Sequence, residues 1–290
     1  MPQITYRDLT TLDDFAVVVD LEREIWGPGY NDVVPVPILA VSVHSGGILI
    51  GAFDGDRSED SGSSPAGSSG DRMVGFVYSL PGIKDGKPTQ WSHMAGVLPA
   101  YRSRGLGYEL KLLQRERALK AGLDLVQWTY DPLQAMNAHL NFAKLGVVVA
   151  EYAVNLYGAS GSPLHGGNPT DRFVADWWIR MPHVQRRLAP AVLALRDQGV
   201  AESARINRAA PAGEWSACVD VDLALDARRL AVEIPMGFTD MLAKAPDLAL
   251  AWRLATREIF TTYFARGYRT VEFFLDRPSR KGSYLLVRQA

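Results

Sequence analysis

Residues 97–108 read Val-Leu-Pro-Ala-Tyr-Arg-Ser-Arg-Gly-Leu-Gly-Tyr, and no other run in the chain constrains the fold as much. An apolar stretch, Met94 to Leu98, precedes it, and Leu110, Leu113 and Arg117 follow at helical spacing before Gly122 closes the element. The pattern predicts a strand, a glycine loop and a helix in immediate succession. The glycines then sit at a helix N-terminus, where backbone N–H groups lack intrahelical acceptors and the helix dipole is positive. Such an end binds a phosphate or pyrophosphate, and a side chain at Gly105 or Gly107 would stand in the way. An ordinary strand-to-helix turn is the plain alternative. A dinucleotide site is a weaker one: the loop lacks a third spaced glycine, and no acidic residue ends a following strand about 20 positions on.

Arg102-Ser-Arg-Gly105-Leu-Gly107 resembles the Arg/Gln-x-x-Gly-x-Gly/Ala segment of the GNAT superfamily of N-acetyltransferases, and Val97-Leu-Pro99 upstream fits the same pattern. The order that follows also resembles the second half of that fold: a strand from Leu123 to Tyr130, a helix around Gln134 to Lys144, then Leu145-Gly146-Val147 and a strand to Tyr157. Asp131-Pro-Leu-x-x-x-Asn137-Ala, Asn141-Phe-x-Lys-Leu-Gly146, Tyr157-Gly and Thr170-Asp-Arg172 are similar to an uncharacterised bacterial branch of predicted acetyltransferases. The resemblance implies an α/β (α+β) fold with a mixed, mostly antiparallel sheet flanked by helices. It implies acetyl-CoA or another acyl-CoA as co-substrate, no metal, and direct transfer of the acyl group to an amine. Val97 would offer backbone groups to the pantetheine arm, and Arg102, Arg104, Gly105, Leu106, Gly107 and Tyr108 would surround the pyrophosphate. Asn137, four residues before Asn141, would add a contact if both point into the cleft; two solvated asparagines are the alternative.

Length and composition set the outer bounds. The chain has 290 residues, 47% hydrophobic and 22% charged, enough for about two average domains with a substantial core. A formal charge of -1 gives no global attraction to nucleic acid or to an anionic membrane, so neither is an expected partner. The single cysteine, Cys218, excludes an intramolecular disulfide and any cysteine-rich zinc site, and it reads as a packed or surface thiol. No apolar leader opens the chain and no uncharged run approaches the roughly 18 residues of a membrane helix, so a cytoplasmic setting is expected.

Along the chain, Ile4 to Asp8 reads as a strand, and Thr11-Leu-Asp-Asp has capping-box character before an amphipathic helix through Val17, Val18, Leu21 and Ile25. Ile48 to Phe53 and Met73 to Leu80 are strands, joined by a Gly/Ser/Asp-rich tip expected to be weakly ordered. Thr170 to Ile179 completes an acetyltransferase unit of residues 1–182. A helical linker of residues 183–213 follows, with a break around Ala209 to Gly213, and residues 214–290 form a smaller α+β extension. Phe142-Ala-Lys-Leu-Gly146 and Tyr263-Phe-Ala-Arg-Gly267 echo each other, so this extension is either a degenerate second half of the fold or simply another helix ending in a C-cap glycine. It would cover the acceptor site or form a homodimer interface.

Acetyl transfer to an amine needs a neutral amine, a polarised thioester carbonyl and a proton for the departing thiolate. Many GNAT enzymes use a carboxylate on the strand before the glycine loop and a tyrosine on a later helix. Here that strand carries Trp91, Ser92 and His93 instead, and Phe142 stands where the tyrosine often falls. His93 is therefore the candidate base, against a hydrogen-bonded structural histidine. Tyr130 and Asp131 complete the catalytic candidates, Asp131 either binding a cationic amine or capping the turn at Pro132. For Thr170-Asp171-Arg172 a local salt bridge is the favoured reading. The acceptor is a small-molecule or peptide amine. A non-catalytic acyl-CoA sensor or assembly module is the alternative, and a nucleic-acid or ribosome-associated factor a remoter one.

Overall fold

The computed structural model describes residues 3–27, 29–30, 32–55, 71–158, 167–189 and 202–288. Two compact units divide the chain, residues 1–126 and 127–290. The expected tip of the first hairpin and the continuation of the helix after His183 lie outside the described residues.

The first unit is built on four antiparallel strands in the order β1 (Ile4–Asp8), β2 (Ile48–Asp54), β3 (Arg72–Lys84) and β4 (Lys87–Val97). Helix α1 (Leu12–Trp26) starts with the expected capping box: Thr11 accepts from the Asp14 amide, and the Asp14 carboxylate accepts from the amides of Thr10 and Thr11. These bonds satisfy end groups that a helix cannot satisfy itself. Its buried face is Phe15, Val18, Leu21 and Ile25, whereas Val17 is exposed. Ile25 and Trp26 lie against Gly96 so closely that a Cβ there would stand 2.8 Å from Ile25 Cδ1. A second helix, α2 (Val36–His44), has Pro35 at its N-cap and Pro37 in its first turn, where a missing N–H costs nothing. After a short 3-10 turn at Pro99–Tyr101 comes α3 (Leu106–Lys120), the helix predicted behind the glycine loop.

Strand β5 (Leu125–Tyr130) spans the division, with Gln127 onward in the second unit. The helix beyond it is not uniform. It begins as α4 (Ala135–Ala138) and widens into a π-helix at His139–Leu145, before Gly146 ends it in the left-handed region at φ 76°. Strands β6 (Val148–Ala153) and β7 (Arg172–Trp178) follow, then α5 (Pro182–Leu188). The C-terminal part supplies β8 (Ala204–Arg205), a hairpin of β9 (Arg208–Ala212) and β10 (Trp215–Val219), β11 (Arg229–Pro235), α6 (Phe238–Lys244), α7 (Pro246–Ala265), β12 (Tyr268–Asp276) and β13 (Lys281–Arg288). The hairpin occupies the stretch expected to be a break: Ala209–Gly213 is strand and turn, with Gly213 at φ 64° supplying the reversal.

The division at 126/127 differs from the expected boundary at 182 for a visible reason. The second unit's strands run β5-β7-β6-β12-β13-β11-β8, and β6 pairs directly with β12, so residues expected to belong to separate domains share one sheet. The order β5-β7-β6 is followed by its mirror, β12-β13-β11. In each half a strand leads through helices to an antiparallel hairpin, and both helix ends are left-handed glycines, Gly146 and Gly267. Rings from both halves form one core, Phe173 against Phe260 and Tyr284 against Phe142.

Candidate active site

The glycine loop opens a helix, as its spacing predicts. Gly105 is the N-cap of α3 at φ 90°, a left-handed conformation that residues with a Cβ rarely adopt, and no side chain caps the helix. Nothing within 4 Å would meet a Cβ at Gly105 or at Gly107, so open space lies beside the first helical turn. Amides in that turn have no acceptor within the helix, and their dipoles add to a positive end. The strand side of the loop is braced: Arg102 Nε donates to the Val97 carbonyl at 3.1 Å, and the Arg104 guanidinium lies 5.1 Å from the Tyr101 ring centroid. Arg102 and Arg104 are exposed, while Leu106 packs into the core and Tyr108 is half-buried. Arg102 thus has a structural bond as well as a charge to offer.

His93 sits on β4 where the register with β3 shifts by one residue: Tyr78 pairs with Met94, and Ser79 with Ser92. It is the extra residue of a β-bulge, a device that re-aims a side chain. The imidazole meets the Tyr78 ring edge-on at 6.0 Å and is exposed. Desolvation by the surrounding protein lowers its pKa from 6.5, and solvent at the exposed ring limits that shift.

Two buried ionisable groups of this unit escaped sequence analysis. Glu22 on α1 is fully buried, accepts from the Val34 amide at 2.9 Å, and is pushed up to about 7 by burial. Lys111 on α3 is buried too. Its ammonium donates to Ser92 Oγ at 2.8 Å and Gln114 Oε1 at 3.2 Å, and desolvation pushes it down to about 7. The helical spacing pointed to Leu110 and Leu113. The face that is buried runs Leu106, Leu110, Lys111, Gln114 and Ala118.

In the second unit, Asp131 is engaged twice. Its Oδ1 accepts from the Leu133 amide at 2.9 Å, the turn-capping role, and its Oδ2 accepts from Arg253 Nη2 of α7 at 2.6 Å. No local spacing could reveal the second bond, which joins residues 122 positions apart. Tyr130 is buried and desolvation raises its phenol well above the ordinary value, so it holds its proton. Asn137 is exposed and Asn141 is buried, because the helix widens between them; they do not present one shared face. His139 is half-buried. Nor does Asp171 pair with Arg172: its carboxylate is held by Arg257 through two bonds of 2.8 and 2.9 Å and by the Tyr152 hydroxyl at 2.8 Å, while Arg172 donates to the Asp171 backbone carbonyl. Trp177 is buried and Trp178 partly exposed, as strand alternation requires. Cys218 is half-buried, accepts from Asn207 Nδ2, and burial pushes its thiol up, the environment of a packed thiol. Among the described residues no group of three or more His, Cys, Asp or Glu is arranged to hold a metal ion, and no helix is long and apolar enough to cross a membrane.

No protein-family model matches the chain, and no curated protein does. Among solved structures it is similar to the crystal structure of the NatC complex bound to Gag peptide and CoA, with 13% identity over 60% of this chain and 97% of that one and a TM-score of 0.46. It is similar to Arabidopsis thaliana NAA60 in complex with a bisubstrate analogue, with 14% identity over 61% and 99% of the two chains and a TM-score of 0.45. An acetyltransferase of the GNAT family from Streptococcus pneumoniae gives 15% identity over 60% and 98%, with a TM-score of 0.44.

Proposed function

We propose that the chain is a GNAT-type N-acyltransferase that transfers an acetyl group from acetyl-CoA to an amine by direct attack. One observation carries the reading: α3 begins at a left-handed glycine with no side-chain cap and open space beside Gly105 and Gly107, behind the strand that ends at Val97. The pyrophosphate of the acyl-CoA is the anion such an end suits. Arg102 and Arg104 add positive charge beside it, and the pantetheine arm follows the backbone at Val97. His93 is the base: its lowered pKa leaves the ring neutral at neutral pH, able to take a proton from an acceptor ammonium. Burial disfavours the Tyr130 phenolate, so Tyr130 keeps its proton and can act in this reading only as a hydrogen-bond donor. Asn137, which is exposed, serves as a cofactor contact in this reading.

The test is release of free thiol from acetyl-CoA across a panel of primary amines. His93→Ala should lower kcat/KM about 10²-fold or more. The wild-type profile should rise with pH to a plateau whose midpoint lies below 6.5. Equal rates for both proteins would remove His93 from the mechanism. A second reading, a non-catalytic acyl-CoA-binding module, is favoured by the commitment of Asp131 to Arg253 and the Leu133 amide. Tight binding of acetyl-CoA with no turnover of any amine would establish it.

A further inference from the structure

The last strands of the second unit carry a polar face that the site described above does not use. Phe274 of β12 pairs with Ser283 of β13, and Ser283 pairs with Glu233 of β11. Asp276 and Lys281 form the pair two positions on, and β8 sets Arg205 beside Ala231, two residues before Glu233. Side chains alternate along a strand, so all of these lie on one face of the sheet. Phe273 and Tyr284 lie on the other, where their ring centroids are 4.7 Å apart. On the polar face is a cavity of about 370 Å³, lined by Arg205, Glu233, Lys281 and Ser283 and walled by Phe274 and Pro278.

Glu233 organises this cavity, and its own bonding capacity is filled by the protein. It is 2% exposed; Oε1 accepts from Lys281 Nζ at 2.7 Å, Oε2 from the Ala209 amide at 2.9 Å, and Asn207 holds its backbone N–H and carbonyl. A carboxylate is tolerated at such depth only with partners of this kind. The donors around it are in the opposite condition. Lys281 commits one of its three N–H groups to Glu233, and Arg205 Nη1 stands 3.7 Å from Oε1, beyond hydrogen-bond reach. Neither the Arg205 guanidinium nor the Ser283 hydroxyl makes a hydrogen bond among the described residues. The other carboxylate of this face, Asp276, is exposed and accepts from the Ser279 amide of the adjoining turn at 3.1 Å. Open donors thus gather in the cavity while formal charges balance, two cations against two carboxylates. That combination suits a ligand with one negative charge and works against a dianion such as phosphate, whose second charge would be repelled by Glu233.

We propose that this cavity binds a small monocarboxylate with an apolar body, its carboxylate on Arg205 and Ser283 beside Lys281, and its body against Phe274 and Pro278. The planar guanidinium fork matches a carboxylate, and charge assistance strengthens the bonds. The volume is at the small end of the roughly 300–1,000 Å³ of ligand sites, and a few placed polar groups beside an apolar wall are their usual make-up. Every residue of the site belongs to the second unit and none has a part in the proposed acyl transfer, so the assignment stands or falls separately from that reading.

The test is calorimetric titration of the full chain with sodium 3-phenylpropanoate at neutral pH, alongside 3-phenylpropan-1-ol, which has the body without the charge, and sodium acetate, which has the charge without the body. The phenylpropanoate should bind saturably at one site, at least about tenfold more tightly than either. Arg205→Gln should weaken it about tenfold or more, and Ser283→Ala a few-fold. Arg205 is 56% exposed and has no hydrogen bond to lose, so its variant should unfold at the wild-type midpoint; Lys281, which neutralises buried Glu233, is left intact for the opposite reason. No saturable binding of phenylpropanoate overturns the site, as does binding that both variants retain. An alcohol that binds as tightly overturns the carboxylate assignment, and inorganic phosphate that binds more tightly than the phenylpropanoate overturns the choice of a monoanion.

Discussion

Two strand-to-helix junctions of this chain solve the same problem in opposite ways. After β4, Gly105 opens α3 with no side chain over the first turn, leaving its amides to face open space. After β5, Asp131 covers the turn with its own carboxylate and is then locked by Arg253 from α7. A cation is buried on α3 and another on α7. On α3, Lys111 has neutral oxygens from Ser92 and Gln114, and its pKa falls to about 7. On α7, burial works against the Arg253 charge but Asp131 more than offsets it, and the pKa rises. An open helix end is free to serve the external anion proposed above, and a covered one serves the fold.

The sharpest way to break this contrast is to remove each buried cation. Arg253→Met should destabilise the chain by about 3–5 kcal/mol, because it leaves Asp131 without its partner. Lys111→Met should do the reverse and stabilise by about 2–4 kcal/mol at mildly acidic pH, since the folded state there pays to hold an ammonium away from water. The sign follows from the depressed pKa: the folded state prefers the neutral amine, so stability rises as pH climbs from about 7 toward 10.5, and the advantage of the variant shrinks over that window. Denaturant unfolding at several pH values checks both, and a destabilised Lys111→Met would show that the ammonium is structurally required.

Helix α1 sharpens the comparison, because its start is fully capped. Burial pushes the Asp14 carboxyl up, but bonds from Arg7, Thr11 and Thr10 overcome this and bring it to about 2. A folded pKa below the unfolded 3.8 gives stability that is present above pH 4 and lost as pH falls toward 2. Asp14→Asn should therefore cost about 2 kcal/mol at neutral pH, with the difference vanishing at the acid end. The smallest effect is expected on the open junction's rim: Arg104→Ala should weaken acetyl-CoA binding only a few-fold and flatten its dependence on salt, because the side chain is exposed.

What the sequence made legible was local. The capping box at Thr11–Asp14, the strand–loop–helix succession at Val97–Leu106 and the turn role of Asp131 depend on residues a few positions apart, and the structure holds all three. Helix α2 passed unread because two prolines and a β-branched run look unlike a helix, although prolines suit a first turn. The β9–β10 hairpin was concealed by Ala, Pro and Gly, which read as a break. The π-helix at His139–Leu145 altered which faces Asn137 and Asn141 present, and no periodicity announces such a widening. The Arg253–Asp131 bond, the Arg257–Asp171 pair and the β6–β12 pairing join segments far apart in the chain, where spacing carries no information. Burial of Glu22 and Lys111 was hidden for the same reason, since a charged residue on a helix ordinarily signals a solvated face.

The central claim is that the open end of α3 receives the pyrophosphate of an acyl-CoA, and calorimetric titration of acetyl-CoA into wild type and Gly107→Glu tests it most directly. Gly107 is the better position than Gly105, because it lies inside the helix with no left-handed φ and nothing within 4 Å of a new Cβ, and a glutamate in a first turn favours the helix. The variant should fold as wild type does and lose acetyl-CoA affinity by about 100-fold or more, as a carboxylate occupies the place of the phosphates. Undiminished binding in a folded Gly107→Glu, or no binding by the wild type, would contradict the account.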